Sequence, residues 1–99
     1  MDNLNTRQLP NVLLRLRKTK ELSQQDVAKV LGISKAHYSR IENGERPVQD
    51  TQLVALSKLF QYDLESLRAI YLADKLKEET EKYSEAEVET AIKILTSRN

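Results

Sequence analysis

The sequence predicts an all-α protein, six helices in 99 residues. Three observations predict it. Apolar residues recur at helical spacing along nearly the whole chain. Serine or aspartate stands just before several of these stripes, where a side-chain oxygen accepts from the first-turn amides. No segment of useful length alternates apolar and polar residues as a half-buried strand does. No internal repeat or long linker divides the chain, and its size suits one unit with a modest core. With one Phe, four Tyr and no Trp, that core must be built mainly from Leu, Ile and Val.

The first six residues are mostly polar and are expected to be loose. Pro10 suits a helix's first turn, where its missing amide is no loss. Val12, Leu13, Leu16 and the later Leu22 give an inward face, ringed by Arg15, Arg17, Lys18 and Lys20, so the first helix is expected over 9–20. Ser23 is placed to accept from the amide of Asp26, a short-armed form of the capping box, and opens a second helix. Its stripe is Val27, Ala28, Val30 and Leu31. Gly32 can end that helix left-handed without a Cβ penalty. Ser34 caps a third helix over 35–43, which buries Tyr38 and Ile41 and stops at Asn43-Gly44.

Residues 44–49 form a loop, with Pro47 as a helix breaker. Asp50 is expected to cap a fourth helix, 51–60, with Leu53, Leu56, Leu59 and Phe60 facing inward. Asp63 caps a fifth helix from Leu64, which Leu67, Ile70, Tyr71 and Leu76 carry to about residue 82. Ser84 and Glu87 form a capping box for a sixth, bearing Val88, Ala91, Ile92 and Leu95.

Composition narrows the function. The absence of cysteine excludes a disulfide framework and a thiolate metal site, and fits a reducing compartment. No apolar run reaches membrane-spanning length, and MDNLNTRQLP lacks the charged start and apolar middle of a signal peptide. A soluble cytoplasmic protein is expected. The net charge of +1 hides a split. Residues 1–48 carry nine Lys/Arg and five Asp/Glu, giving +4; residues 49–99 carry seven and ten, giving −3. A basic front and an acidic back suit a protein that meets a polyanion on one side, though ordinary scatter of surface charge gives the same count. There is no glycine-rich phosphate loop, no cysteine nucleophile and no histidine-carboxylate grouping at useful spacing. His37, the single histidine, has no partner ligands for a metal. No catalytic residue, metal or cofactor is therefore expected, and the acidic tract over 75–89 reads as a solvated helical face.

Two short helices joined by a glycine turn, 23–44, form a helix-turn-helix, whose second helix can enter the major groove of duplex DNA. At 100° per residue, Lys35, Ala36, Ser39, Arg40 and Asn43 share the face opposite Tyr38 and Ile41. On an arbitrary helix such a face would usually meet only water. The motif changes that reading.

The stretch LRKTKELSQQDVAKVLGISKAHYSRIENG, residues 16–44, resembles the Cro/repressor-type (XRE-like) helix-turn-helix family of small bacterial and phage transcription regulators. The framework includes Leu16-Arg17, Leu22-Ser23-Gln24, Val27-Ala28, Leu31-Gly32-Ile33 and Ile41-Glu42-Asn43-Gly44. Leu53, Leu56, Leu59-Phe60, Tyr62, Leu64 and Leu67 keep the downstream spacing, so the resemblance covers roughly 9–67. It implies a five-helix, phage-repressor-like DNA-binding domain. It also implies base-reading positions for Lys35, Ala36 and Arg40, a phosphate contact for Gln24, and a partly buried ion pair between Arg17 and Glu42. Lys35 and Arg40 can donate to guanine O6 and N7, and the Ala36 methyl can touch a thymine methyl. Ser39 and Asn43 are expected at the DNA backbone, His37 on the flank, and Arg46 in the following loop as a phosphate contact. The chain departs from the family pattern in three ways. Pro47 falls one residue early, Gln61 replaces a glycine at the end of helix four, and 68–99 has no standard counterpart.

These readings divide the chain into a DNA-binding domain over 1–67 and a C-terminal helical extension over 68–99. Tyr71, Leu76, Val88, Ile92 and Leu95 give the extension more apolar surface than a five-helix core needs, and it is expected to make a homodimer on double-stranded DNA. The competing expectation is a protein-interaction module, an antitoxin or adaptor, that binds a protein partner through the same helices.

Overall fold

A computed structural model describes residues 7–97; the expectation for the first six residues lies outside them. Among the described residues there are six helices and no strand: α1 Gln8–Thr19, α2 Gln24–Leu31, α3 Lys35–Glu42, α4 Asp50–Phe60, α5 Leu64–Thr80 and α6 Glu85–Thr96. α2 packs closely on α3, α1 lies across α3 and α5, and α4 bridges α2 and α5. The core between them holds Leu9, Val12, Leu13, Val27, Ala28, Tyr38, Ile41, Val48, Leu53, Leu56, Phe60 and Leu67. Full burial of a leucine- or phenylalanine-sized side chain contributes about 1.5–3 kcal/mol, and Tyr38, Phe60 and Leu13 are the largest enclosed side chains.

The helix ends follow local chemistry. The Ser23 hydroxyl accepts from the amide of Asp26 at 3.0 Å, and the Asp26 carboxylate accepts from the amide of Ser23 at 2.9 Å. Ser84 and Glu87 repeat this arrangement at the start of α6. Ser34 accepts from the amide of His37, and Asp63 from that of Ser66. Gly32 takes φ +71 after α2.

Three expectations are corrected. Asp50 does not cap α4. It is the first helical residue, and its carboxylate is forked by Arg68 at 2.8 and 2.7 Å. Gln49 stands at the N-cap instead, its amide donating to the Gln52 side chain at 2.8 Å. Val30 is 54% exposed, because at 100° per residue it falls on the far side of Val27 from Ala28 and Leu31. Leu76 does not continue the inward stripe of α5. Nine residues after Leu67, it lies about 180° around the helix and is 54% exposed. The residue that does continue the stripe is Asp74, which is buried.

α5 runs unbroken across residues 67 and 68, so one helix serves both the core and the extension. α6 buries none of its residues.

Candidate nucleic-acid interface

Only one face of α3 is held by the body. Tyr38, Ile41 and Glu42 are buried there. On the other side Ala36, Arg40 and Asn43 fall within about 60° of one another, and all three are exposed. Lys35 is exposed in the first turn, and Ser39 and His37 are half-buried at the two margins of the face.

Glu42 fixes the angle at which this face is presented. Arg17 Nε donates to Glu42 Oε2 at 2.6 Å, and Arg17 Nη2 donates to Oε1 at 3.1 Å. Gln24 Nε2 donates to the same Oε1 at 3.0 Å. Arg17 Nη1 also donates to the Leu22 carbonyl at 2.8 Å. One carboxylate thus joins α1, α2 and α3, and the forked geometry adds direction to the attraction. Burial works to raise the Glu42 carboxyl. The hydrogen bonds from Arg17 and Gln24, the Tyr38 hydroxyl beside it and the Arg17 charge outweigh that effect and hold it below its ordinary value. The Tyr38 hydroxyl is itself buried with no hydrogen bond of full geometry. Burial first, and the neighbouring carboxylate second, push its phenol far above the usual range.

The start of α2 lies beside this junction. The first-turn amides of Gln24 and Gln25 have no carbonyl within the helix to bond, which makes this end a donor to anions. Gln24 is half-buried, and one Nε2 hydrogen is directed to Glu42. Below α3 the chain folds back on itself. Gly44 takes φ +78, and the amides of Glu45 and Arg46 both donate to the Arg40 carbonyl, at 2.8 and 3.3 Å. Arg46 is exposed on that loop.

Three residues that the sequence reading passes over complete the frame. Arg7, at the N-cap of α1, supplies no side-chain cap to its own helix. Asp74, on α5, supplies the cap instead, accepting from the amides of Gln8 at 2.8 Å and Leu9 at 2.9 Å. Arg7 donates from Nη1 to the Gly44 carbonyl at 3.1 Å, and its Nε pairs with Glu78 at 2.7 Å. One signal for Asp74 is present in the sequence. Leu67, Ile70, Tyr71 and Asp74 stand at i, i+3, i+4 and i+7, so a carboxylate occupies an inward position.

The residues expected at a dimer contact separate. Leu76, Val88, Ile92 and Leu95, with Tyr83 and Ala91, line a groove of about 440 Å³ between the end of α5 and α6. Tyr71 is not in it. That ring packs against the core of its own chain, with the Lys75 ammonium 5.7 Å from its centroid. Among the described residues no cluster of three or more His, Asp or Glu could hold a metal, and no helix is long and apolar enough to cross a membrane.

A family model described as Helix-turn-helix matches residues 13–67, from the middle of α1 to the first turn of α5. No curated protein and no solved structure matches the chain.

Proposed function

The chain belongs to the helix-turn-helix family, in its Cro/XRE form, and is a DNA-binding regulator of transcription; from that premise we propose that it is a cytoplasmic repressor that binds a palindromic operator as a homodimer. Lys35 and Arg40 donate to guanine edges, and the Ala36 methyl meets a thymine methyl. Ser39 and Asn43 reach the DNA backbone, and His37 reaches its flank. The amide end of α2 around Gln24, together with Arg46, meets the flanking phosphates. The observation that carries this reading is the exposed face of α3, set opposite three buried residues and fixed in angle by the Arg17–Glu42–Gln24 junction. A side chain that must discriminate between bases needs that fixed angle.

One such domain covers too little DNA to be selective. Two copies reading half-sites about 34 Å apart overcome this. The groove of α5 and α6 supports the homodimer. A helix of 12 residues that buries none of its side chains is marginal in water on its own, and the apolar residues Leu76, Val88, Ile92 and Leu95 call for a covering surface. The same groove favours a second reading, in which a protein partner rather than a second copy covers it.

Selection of bound genomic fragments by the purified protein, followed by footprinting, tests the proposal. It expects a two-fold symmetric footprint with half-sites one turn apart. A protein that binds random duplex DNA with no salt dependence would instead be an adaptor.

A further inference from the structure

Arg7 lies in none of the helix-turn-helix elements, yet it touches both the recognition loop and the C-terminal half of α5. Its Nη1 donates to the carbonyl of Gly44, the residue that turns the chain away from α3, and its Nε is paired with Glu78. Pro10 stands beside the same turn. A Cβ on Gly44 would lie 3.6 Å from the Pro10 ring, and Gly44 keeps φ +78. Arg46 and Pro47 line one small cavity together with Arg7, Tyr71, Asp74 and Glu78. Asp74 is buried and fixes the backbone beside Arg7 through the amides of Gln8 and Leu9. Among the described residues, the loop that carries Arg46 is otherwise held by the amides donating to the Arg40 and Ile41 carbonyls and, at its far end, by Val48 in the core.

We infer that Arg7 is a positioning residue for DNA binding: braced by Glu78 on α5, it holds the loop after α3 so that Arg46 meets the phosphate backbone. The inference rests on the proposed phosphate contact of Arg46. Its physical content is that a long cationic side chain on a loop held only at its far end, by Val48, spends most of its time away from any one phosphate, whereas a loop also anchored at its first carbonyl presents the charge in register. Glu78 matters because it fixes the guanidinium from behind. The Arg7–Glu78 pair is itself two-fifths exposed and contributes little to stability, so changing it tests position rather than folding.

The experiment measures the salt dependence of binding to a random-sequence duplex for the full chain and for Arg7→Ala, Glu78→Ala, Arg46→Ala and the Arg7→Ala, Arg46→Ala double variant, with a thermal melt of each. The expected result is that Arg7→Ala lowers the slope by about one unit per subunit, as loss of one phosphate contact does. Arg46→Ala then adds no further loss in the Arg7→Ala background. Glu78→Ala also weakens binding, although it removes a negative charge and would strengthen binding by charge alone. Additive losses of about two units per subunit in the double variant would overturn the inference, because Arg7 would then be touching phosphate itself. An unchanged slope for Arg7→Ala, or tighter binding by Glu78→Ala, would overturn it equally. A flat salt response of the unaltered chain would remove the DNA reading, a different failure visible before any variant is compared.

Discussion

Glu42 accepts from two side chains at once, and removing one donor does not return the carboxylate to water. Arg17→Ala leaves it buried with its main partner gone, a change that typically costs about 3–5 kcal/mol. Lys18→Ala, one residue on and exposed, is expected to stay within about 0.5 kcal/mol of the parent in urea denaturation. The pH dependence follows from the same group. Because the native Glu42 carboxyl sits below its ordinary 4.5, the unfolded chain takes up a proton that the native state refuses. That stability is fully present above about 4.5 and is lost as pH falls through the lower native value. Melts between pH 7 and pH 3 check this, and Glu42→Gln is expected to flatten the acid limb while lowering stability throughout. At the proposed DNA face, Arg40→Ala is expected to cost about 1–3 kcal/mol on the operator and to relax preference at one position of each half-site. Competitive titration against scrambled duplex measures both. The partnership of Arg17 and Glu42 was legible only through the family pattern, since both residues sit at the margins of apolar stripes. The inward place of Asp74 is legible in its spacing from Leu67, but its role is not, because its partners are backbone amides 65 and 66 residues away that no local spacing announces.

Helix boundaries were legible to within a residue or two wherever the cap was a short side chain beside its own amides, as at Ser23, Ser34, Asp63 and Ser84. The start of α4 lies one residue before the expected one, because Asp50, inside the helix, turns its carboxylate to Arg68 and Gln49 takes the N-cap. The end of α4 shows the converse. Gln61 takes φ +53, a left-handed conformation that any Cβ disfavours, while its side chain accepts from Lys20 at the surface. Gln61→Gly relieves that strain but adds freedom to the unfolded chain. The net expectation is a protein more stable by up to about 1 kcal/mol, read as an upward shift in Tm. In α5 the structure keeps the expected helix but shifts the phase of its stripe. Asp74 belongs to the inward row and Leu76 to the outward one, and a leucine is the more persuasive core residue on composition alone.

Across the whole molecule, α5 is the member that serves two surfaces, with its inner row in the core and its outer row in the groove. Truncation after Lys82 removes α6 and half of that groove but leaves Asp74 and Glu78 in place. The expected product is folded, monomeric in sedimentation and weak on operator; a product that stays dimeric places the interface elsewhere. Truncation after Leu67 is expected to melt lower, because it also strips the acceptors from the start of α1. Asp74→Ala isolates that part of the effect and is expected to cost about 2 kcal/mol in the full chain. The long reach of that cap also sets an order of events during synthesis. At about 5–20 residues per second, a ribosome delivers Asp74 roughly 3–13 seconds after Leu9. The first turn of α1 therefore waits, uncapped, while α2 and α3 are made, and it gains its cap only once the helix that carries the groove has emerged behind it.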